Sequence, residues 1–417
     1  MSKFALVLSG GGSKGAYEIG VYMALIKMHK KIDIVTGTSI GAVNGLFIVQ
    51  NDLRHALKLW KKMNFSAIYS ENDFPIDKNL KLPEIYMTHL KNFINEGGTD
   101  PSKLSSIFDK YFKPKSFFNS PIDYGLVTYN LTKNKPVLKT KKDLTKDNIK
   151  DYVISSASCY PAFKPHVIDD ELYIDGGYYD NIPINLAIKM GADEIIAVDL
   201  RALGLKKKLI DKGVSVTYIA PRNYIPSFLI FDSIEARQTI KLGFNDTLKT
   251  FDKLDGERLT FKKGHLVKNY QKYGERFKEN LHNFFDNSQS EVLKKLFKTD
   301  IFQNILKDKT SYKNFNNIVE KSGIFLGFDE SVIYRINSYN KGLLTSLSSV
   351  DKIDVNKILS KIKDKQIDNL IDRRQIVKYF YDNLKNSTKI TKYIPLFTNE
   401  FLVALYIATI KGKHSNY

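Results

Sequence analysis

The stretch Ile32-Asp33-Ile34-Val35-Thr36-Gly37-Thr38-Ser39-Ile40-Gly41 limits the fold of this chain more than any other. It reads as a short apolar strand running into Gly-x-Ser-x-Gly, and Ala42 to Val49 continues as an apolar helix. A strand that passes at once into a helix needs a sharp turn. A residue on that turn is forced into a strained backbone conformation, and small neighbours must make room for it. Gly37 and Gly41 supply the room. The turn is then a nucleophile elbow that lifts Ser39 clear of a sheet at a helix N-terminus. The helix dipole there favours developing negative charge. A plainer reading is a tight turn whose serine caps a helix.

A second glycine-rich turn lies upstream. Phe4 to Ser9 reads as a strand, Ser9-Gly10-Gly11-Gly12-Ser13-Lys14-Gly15 follows, and Ile19, Tyr22, Met23 and Ile26 mark a helix face. Glycines between strand and helix let backbone N–H groups converge on an anion. A dinucleotide fingerprint wants an acidic residue at the end of the second strand, where this chain has Gly37-Thr38-Ser39. A Walker loop wants Lys and Ser/Thr straight after the last glycine, where this chain has Ala16 and Tyr17. An oxyanion hole, with candidates Gly10, Gly11, Gly12, Lys14 and Gly15, uses both glycine motifs together and is the preferred reading.

Further along, residues 51–120 are helical in pattern and carry Trp60, Phe65, Tyr69, Phe74, Tyr86, Phe93, Phe108, Phe112, Phe117 and Phe118. These aromatics suit a cap over an apolar acyl channel or ordinary helical packing. Ile122 to Thr132 reads as a strand with Pro136-Val137-Leu138 as its hairpin partner, and Asp147 to Ser156 as a helix. Leu172-Tyr173-Ile174 is a short apolar strand that ends at Asp175-Gly176-Gly177, which places a carboxylate on a tight turn. Glu194 to Leu200 and Val214 to Ala220 are buried strands. This alternation predicts an α/β fold, an α/β/α sandwich on a largely parallel sheet, within residues 1–250. From about Ser233 the pattern is helical nearly throughout, and 251–417 reads as a lysine-rich helical region of unassigned role without a catalytic motif.

Composition narrows the classes. With Cys159 alone, neither an internal disulfide nor a cysteine metal cluster is available, so no metal site is expected. No apolar run reaches the roughly 18 residues of a membrane span. The first strand starts almost at Met1, without a basic n-region or a cleavage site, and the expectation is a cytoplasmic chain without a signal peptide. The net charge is +19, from 64 Lys+Arg against 45 Asp+Glu, and the excess is denser after residue 250. A basic surface suits an anionic membrane or nucleic acid, or is simply a lysine-rich soluble face.

Gly10-Gly11-Gly12-Ser13-Lys14-Gly15, Gly37-Thr38-Ser39-Ile40-Gly41 and Asp175-Gly176-Gly177, in that order, resemble the blocks of the patatin-like phospholipase family. Ala157-Ser158 to Pro161-Ala162-Phe163 resembles the family's segment ahead of the aspartate. The likeness covers about the first half of the chain. It implies a patatin-like α/β/α sandwich and a lipid acyl hydrolase with no cofactor and no catalytic histidine. Ser39 becomes the nucleophile, Asp175 the base, and Gly11 and Gly12 the oxyanion donors. A phospholipid or other acyl lipid is the expected partner, peripheral membrane contact through basic residues the second, and nucleic acid is not expected. Alternatives are an esterase or thioesterase on another acyl substrate, and a non-catalytic membrane- or nucleic-acid-binding scaffold. Among the seven histidines, His29, His55, His89, His166, His265, His282 and His414, His166 lies nearest Asp175 in sequence and is the one to check for a triad.

Overall fold

The computed structural model describes residues 3–68, 98–225, 229, 231–286, 290–351 and 372–412. The chain divides into two compact units, Met1–Thr250 and Phe251–Tyr417. The first is built on an eight-stranded sheet: β1 Phe4–Leu8, β2 Ile34–Thr38, β3 Asp123–Asn130, β4 Lys135–Thr140, β5 His166–Ile168, β6 Glu171–Asp175, β7 Glu194–Val198 and β8 Ser215–Ile219. Its spatial order is β5-β6-β3-β2-β1-β7-β8, with β4 paired to β3. From β3 through β8 neighbouring strands are parallel, whereas β4, β5 and β6 pair antiparallel. The hairpin read at 122–138 is therefore β3–β4.

Every residue of β1 and β2 is buried, as expected of interior parallel strands covered on both faces. Successive side chains confirm three layers. Ala5, Val7, Ile34, Ile195 and Ala197 pack with Ile184 and Ala187 of a short helix, Ile184–Lys189. Val35 points the other way and touches Gly45 of helix α2, Ile40–Val49. Beside α2 lie α1, Ala16–Lys27, and α3, Leu53–Trp60. A long helix, α4, Ser233–Thr250, crosses α1 so closely that a side chain at Gly20 would strike the Ile240 carbonyl oxygen. Tyr17 OH donates to Asp246 at 2.9 Å, and the same carboxylate pairs with Lys249 at 2.9 Å in a buried salt bridge.

Residues 98–118 contain two helices, Ser102–Tyr111 and Pro114–Phe118; Phe112 between them stacks on Phe108 and meets Phe117 at a tilt, and Phe117 and Phe118 meet edge to face. Tyr69, Phe74, Tyr86 and Phe93 lie outside the described residues.

The second unit is helical around Thr398–Lys411, in which Phe401 to Ala408 are buried. A closed ring of hydrogen bonds, Asn269 to Tyr406 to Asn340 and back to Asn269, pairs these three buried side chains with one another. No described helix is long and apolar enough to cross a membrane.

Candidate active site

Sheet register brings together residues distant in sequence. Thr38 pairs with Val127, and Asp175 pairs with Thr128, one residue further along β3. Ser39, directly after β2, and Asp175, at the end of β6, therefore flank the same strand. Their Cα atoms are two strand spacings apart, about 10 Å, a gap that two inward-leaning side chains bridge. Both side chains line one cavity, and Ser39 is near enough to the Asp175 carboxylate to pull its pKa down.

Ser39 has φ 57° and ψ −126°, an uncommon conformation for a residue with a side chain. The turn holds it there. A Cβ on Gly37 would meet the backbone of Gly41, and one on Gly41 would lie 2.5 Å from the Leu8 carbonyl oxygen. The Ser39 N–H is itself held: it donates at 3.0 Å to the Ser156 hydroxyl, which donates at 2.7 Å to the Val127 carbonyl. Ser39 does not cap α2 with its side chain.

Asp175 is 4% exposed. Its carboxylate accepts the Gly177 N–H at 2.7 Å, and its own N–H donates to Ser158 at 3.0 Å. Burial raises its pKa to about 6, against the lowering pull of the Ser39 and Gly177 hydrogen bonds. Gly176 must be glycine, because a Cβ there would strike the Val127 carbonyl.

The glycine loop sorts into two groups. The Gly10 N–H donates to the Asn181 carbonyl at 3.0 Å and the Lys14 N–H to Gly11 at 3.1 Å. Gly15 packs against Ile40 and Trp60. By contrast, the N–H groups of Gly11 and Gly12 find no acceptor among the described residues, and both residues line the cavity at Ser39. Gly12 has φ 54°, which a side chain would resist. Burial lowers the pKa of the Lys14 ammonium, offset by the charge of Asp199. It is not among the cavity-lining residues.

Asn181 carries no recognisable catalytic signature in the sequence, yet it staples three segments. Its carbonyl takes the Gly10 N–H, its Nδ2 donates to Gly10 O at 3.4 Å, and its N–H donates to Leu205 O at 2.6 Å. Its place a few residues after the Asp-Gly-Gly turn was the one available signal.

These groups open on a cavity of about 670 Å³, lined mainly by apolar residues including Ile40, Val43, Leu104, Phe163, Leu203 and Phe231. Cys159 also lines it, with burial pushing its thiol up to about 12, so it stays protonated. No histidine lines the cavity among the described residues. His166 pairs in register with Tyr173 and hydrogen-bonds Asp151 at 2.9 Å. His89 and His414 lie outside the described residues. Among the described residues no cluster of His, Cys, Asp and Glu could hold a metal ion.

Residues 6–188 match the model of the family described as patatin-like phospholipase. Patatin-like phospholipase domain-containing protein 7 of Rattus norvegicus is 28% identical over 203 residues, 47% of this chain and 13% of that protein. Lysophospholipase NTE1 of Phaeosphaeria nodorum is 32% identical over 201 residues, 48% of this chain and 12% of that protein. The chain thus matches about an eighth of the length of these curated relatives. The structure of VipD from Legionella pneumophila aligns over 100% of this chain and 92% of its own, at 14% identity and a TM-score of 0.38.

Proposed function

We propose, from the patatin-like phospholipase domain that residues 6–188 form, that this chain hydrolyses the ester of an acyl lipid with Ser39 as nucleophile and Asp175 as general base. The observation that carries this reading is that Ser39 and Asp175 line the same largely apolar cavity, Ser39 near enough to perturb the buried Asp175 carboxylate. The cavity's 670 Å³ falls within the roughly 300–1,000 Å³ of small-molecule sites, and its lining suits a hydrocarbon chain. The relatives' names add a phospholipase and a lysophospholipase.

The steps follow from the groups present. Ser39 Oγ attacks the ester carbonyl carbon as its proton passes to Asp175. The carbonyl oxygen becomes an oxyanion beside the N–H groups of Gly11 and Gly12. The first N–H groups of α2 lack intrahelical acceptors and add a positive dipole end. Removal of one oxyanion donor typically costs about 3 kcal/mol of transition-state stabilisation. As the tetrahedral centre collapses, the C–O bond to the alcohol breaks, and Asp175 returns the proton to the departing oxygen. Water then attacks the acyl-serine as Asp175 accepts its proton; the bond from Ser39 Oγ to the acyl carbon breaks, Asp175 gives the proton to Oγ, and the fatty acid leaves. A solvated aspartate is a weak base, with a pKa of about 3.9. Burial to about 6 brings Asp175 closer to the operating pH, where general-base catalysis is more efficient.

A fluorophosphonate probe tests the nucleophile, and fatty acid released from a panel of phospholipids and lysophospholipids, read by mass spectrometry, tests the substrate. Labelling at Ser39 that disappears in Ser39→Ala is expected. Undiminished labelling in that variant overturns the assignment.

A further inference from the structure

The segment between β7 and β8 has no regular secondary structure, yet it is tied down along its length. Leu205 N–H donates to Gly177 O at 2.9 Å, and Leu205 O accepts the Asn181 N–H. Lys207 lies beside Asp180 and works against the rise that burial gives that carboxyl's pKa. Asn185 donates to Lys208 O at 2.8 Å and accepts the Ile210 N–H at 3.0 Å. The segment is therefore fixed to the turn that carries Asp175.

On this anchored segment Leu209 packs against the core, but three other apolar side chains face outward. Leu203 is 86% exposed, and Leu205 and Ile210 are each 58% exposed. Single exposed leucines are ordinary on a protein surface. These differ in place: Leu203 and Leu205 line the cavity that holds Ser39, together with the exposed Tyr160 and Tyr178. They are therefore at its mouth. Cations run through the same stretch: Arg201, Lys206, Lys207, Lys208 and Lys212 against Asp199 and Asp211. Lys206 pairs with Asp199 at 2.7 Å, and Lys207 sits 4.1 Å from the centre of the Tyr179 ring.

We propose that residues 201–212, with Tyr160 and Tyr178, form a docking surface for an anionic lipid bilayer. Leucine and isoleucine enter the acyl boundary, tyrosine sits at headgroup depth, and lysine meets the anionic headgroups. A nucleic-acid phosphate backbone accounts for the lysines and not for Leu203 or Ile210. Docking sets the cavity mouth against the headgroups, so a lipid leaves the bilayer for the site without crossing water. That consequence rests on the lipid-hydrolase reading of the cavity; the docking itself is measurable without turnover.

The experiment uses the full chain carrying Ser39→Ala. It is sedimented with vesicles of phosphatidylcholine alone and of phosphatidylcholine with phosphatidylserine. Binding to the mixed vesicles well above the neutral ones is expected. The triple variant K206Q/K207Q/K208Q should lose roughly 100-fold in partition onto the mixed vesicles. L203S/I210S should lose roughly ten-fold or more. The thermal midpoint of each variant checks that it folds. A parent that binds neither vesicle overturns the proposal, and so does either folded variant binding as tightly as the parent. Vesicle binding by a native chain that releases no fatty acid keeps the docking surface and removes the hydrolase reading. Fatty acid release without vesicle binding does the reverse.

Discussion

Replacing Asp175 by Asn should make the protein inert and more stable together. Burial raises the Asp175 pKa from 3.8 to about 6, so its charged form is disfavoured in the folded state. Two pKa units correspond to about 3 kcal/mol. The sign follows from proton counting. Below about pH 4 the carboxyl is protonated whether the chain is folded or not, and it adds no pH-dependent cost. Between about pH 4 and 6 the unfolded chain loses the proton while the folded chain keeps it, so stability falls as pH rises. Above about 6 the full cost of the buried charge is present. Asn carries no charge, and its Oδ1 still accepts the Gly177 N–H. The variant should therefore gain up to about 3 kcal/mol over the parent at pH 8, roughly 6–12 °C in midpoint, and almost nothing at pH 4. Trp60 is the only tryptophan and is buried within the first unit. Its emission during urea unfolding reads that unit by itself. Ester hydrolysis should fall by about 10²–10⁴. In the parent, kcat/KM should drop as pH falls through about 6, where Asp175 takes up its proton. A variant no more stable than the parent at pH 8, or a stability gap that ignores pH, refutes the burial argument. Retained turnover refutes the base assignment.

Three further outcomes can be checked with the same assays. Ser156→Ala removes the hydroxyl between Ser39 N–H and Val127 O; it should cost about 1–3 kcal/mol of stability and lower kcat more than it changes KM. Gly12→Ala places a methyl at φ 54° at a cost of about 1–2 kcal/mol, and should reduce kcat at least ten-fold with folding kept; full activity removes Gly12 from the oxyanion hole. Lys249→Met leaves Asp246 as a buried charge without its ammonium and should cost about 3–5 kcal/mol by urea titration, with part recovered in Lys249→Met/Asp246→Asn.

What could be read from sequence was what is local. Gly37 and Gly41 announce the elbow because the turn requires small residues at fixed offsets from Ser39. Asp175 is marked by the two glycines that let its turn lie against β3. The alternation of strand and helix gave the layered sheet. Sequence spacing carried no record of the order β6-β3-β2, because register between strands is set by packing across the whole sheet. For the same reason Asn181, which binds Gly10 and Leu205, and Ser156, which holds the Ser39 N–H, had no local signature. Of the oxyanion candidates, sequence could not say that the N–H groups of Gly10 and Lys14 already have carbonyl partners. Charge counting drew attention to the region after residue 250, yet the lysines beside exposed leucines lie earlier, on a segment that reads as an unremarkable loop.

The pairing of Thr38 with Val127 and of Asp175 with Thr128 has an implication for how such a chain diverges. Ser39 and Asp175 are aligned by one interior strand, while the walls around them come largely from connecting segments. Those segments can be lengthened, exchanged or recoded without disturbing the alignment. Under the proposed function, relatives of this scaffold can change what enters the cavity while the two side chains that face it stay in register.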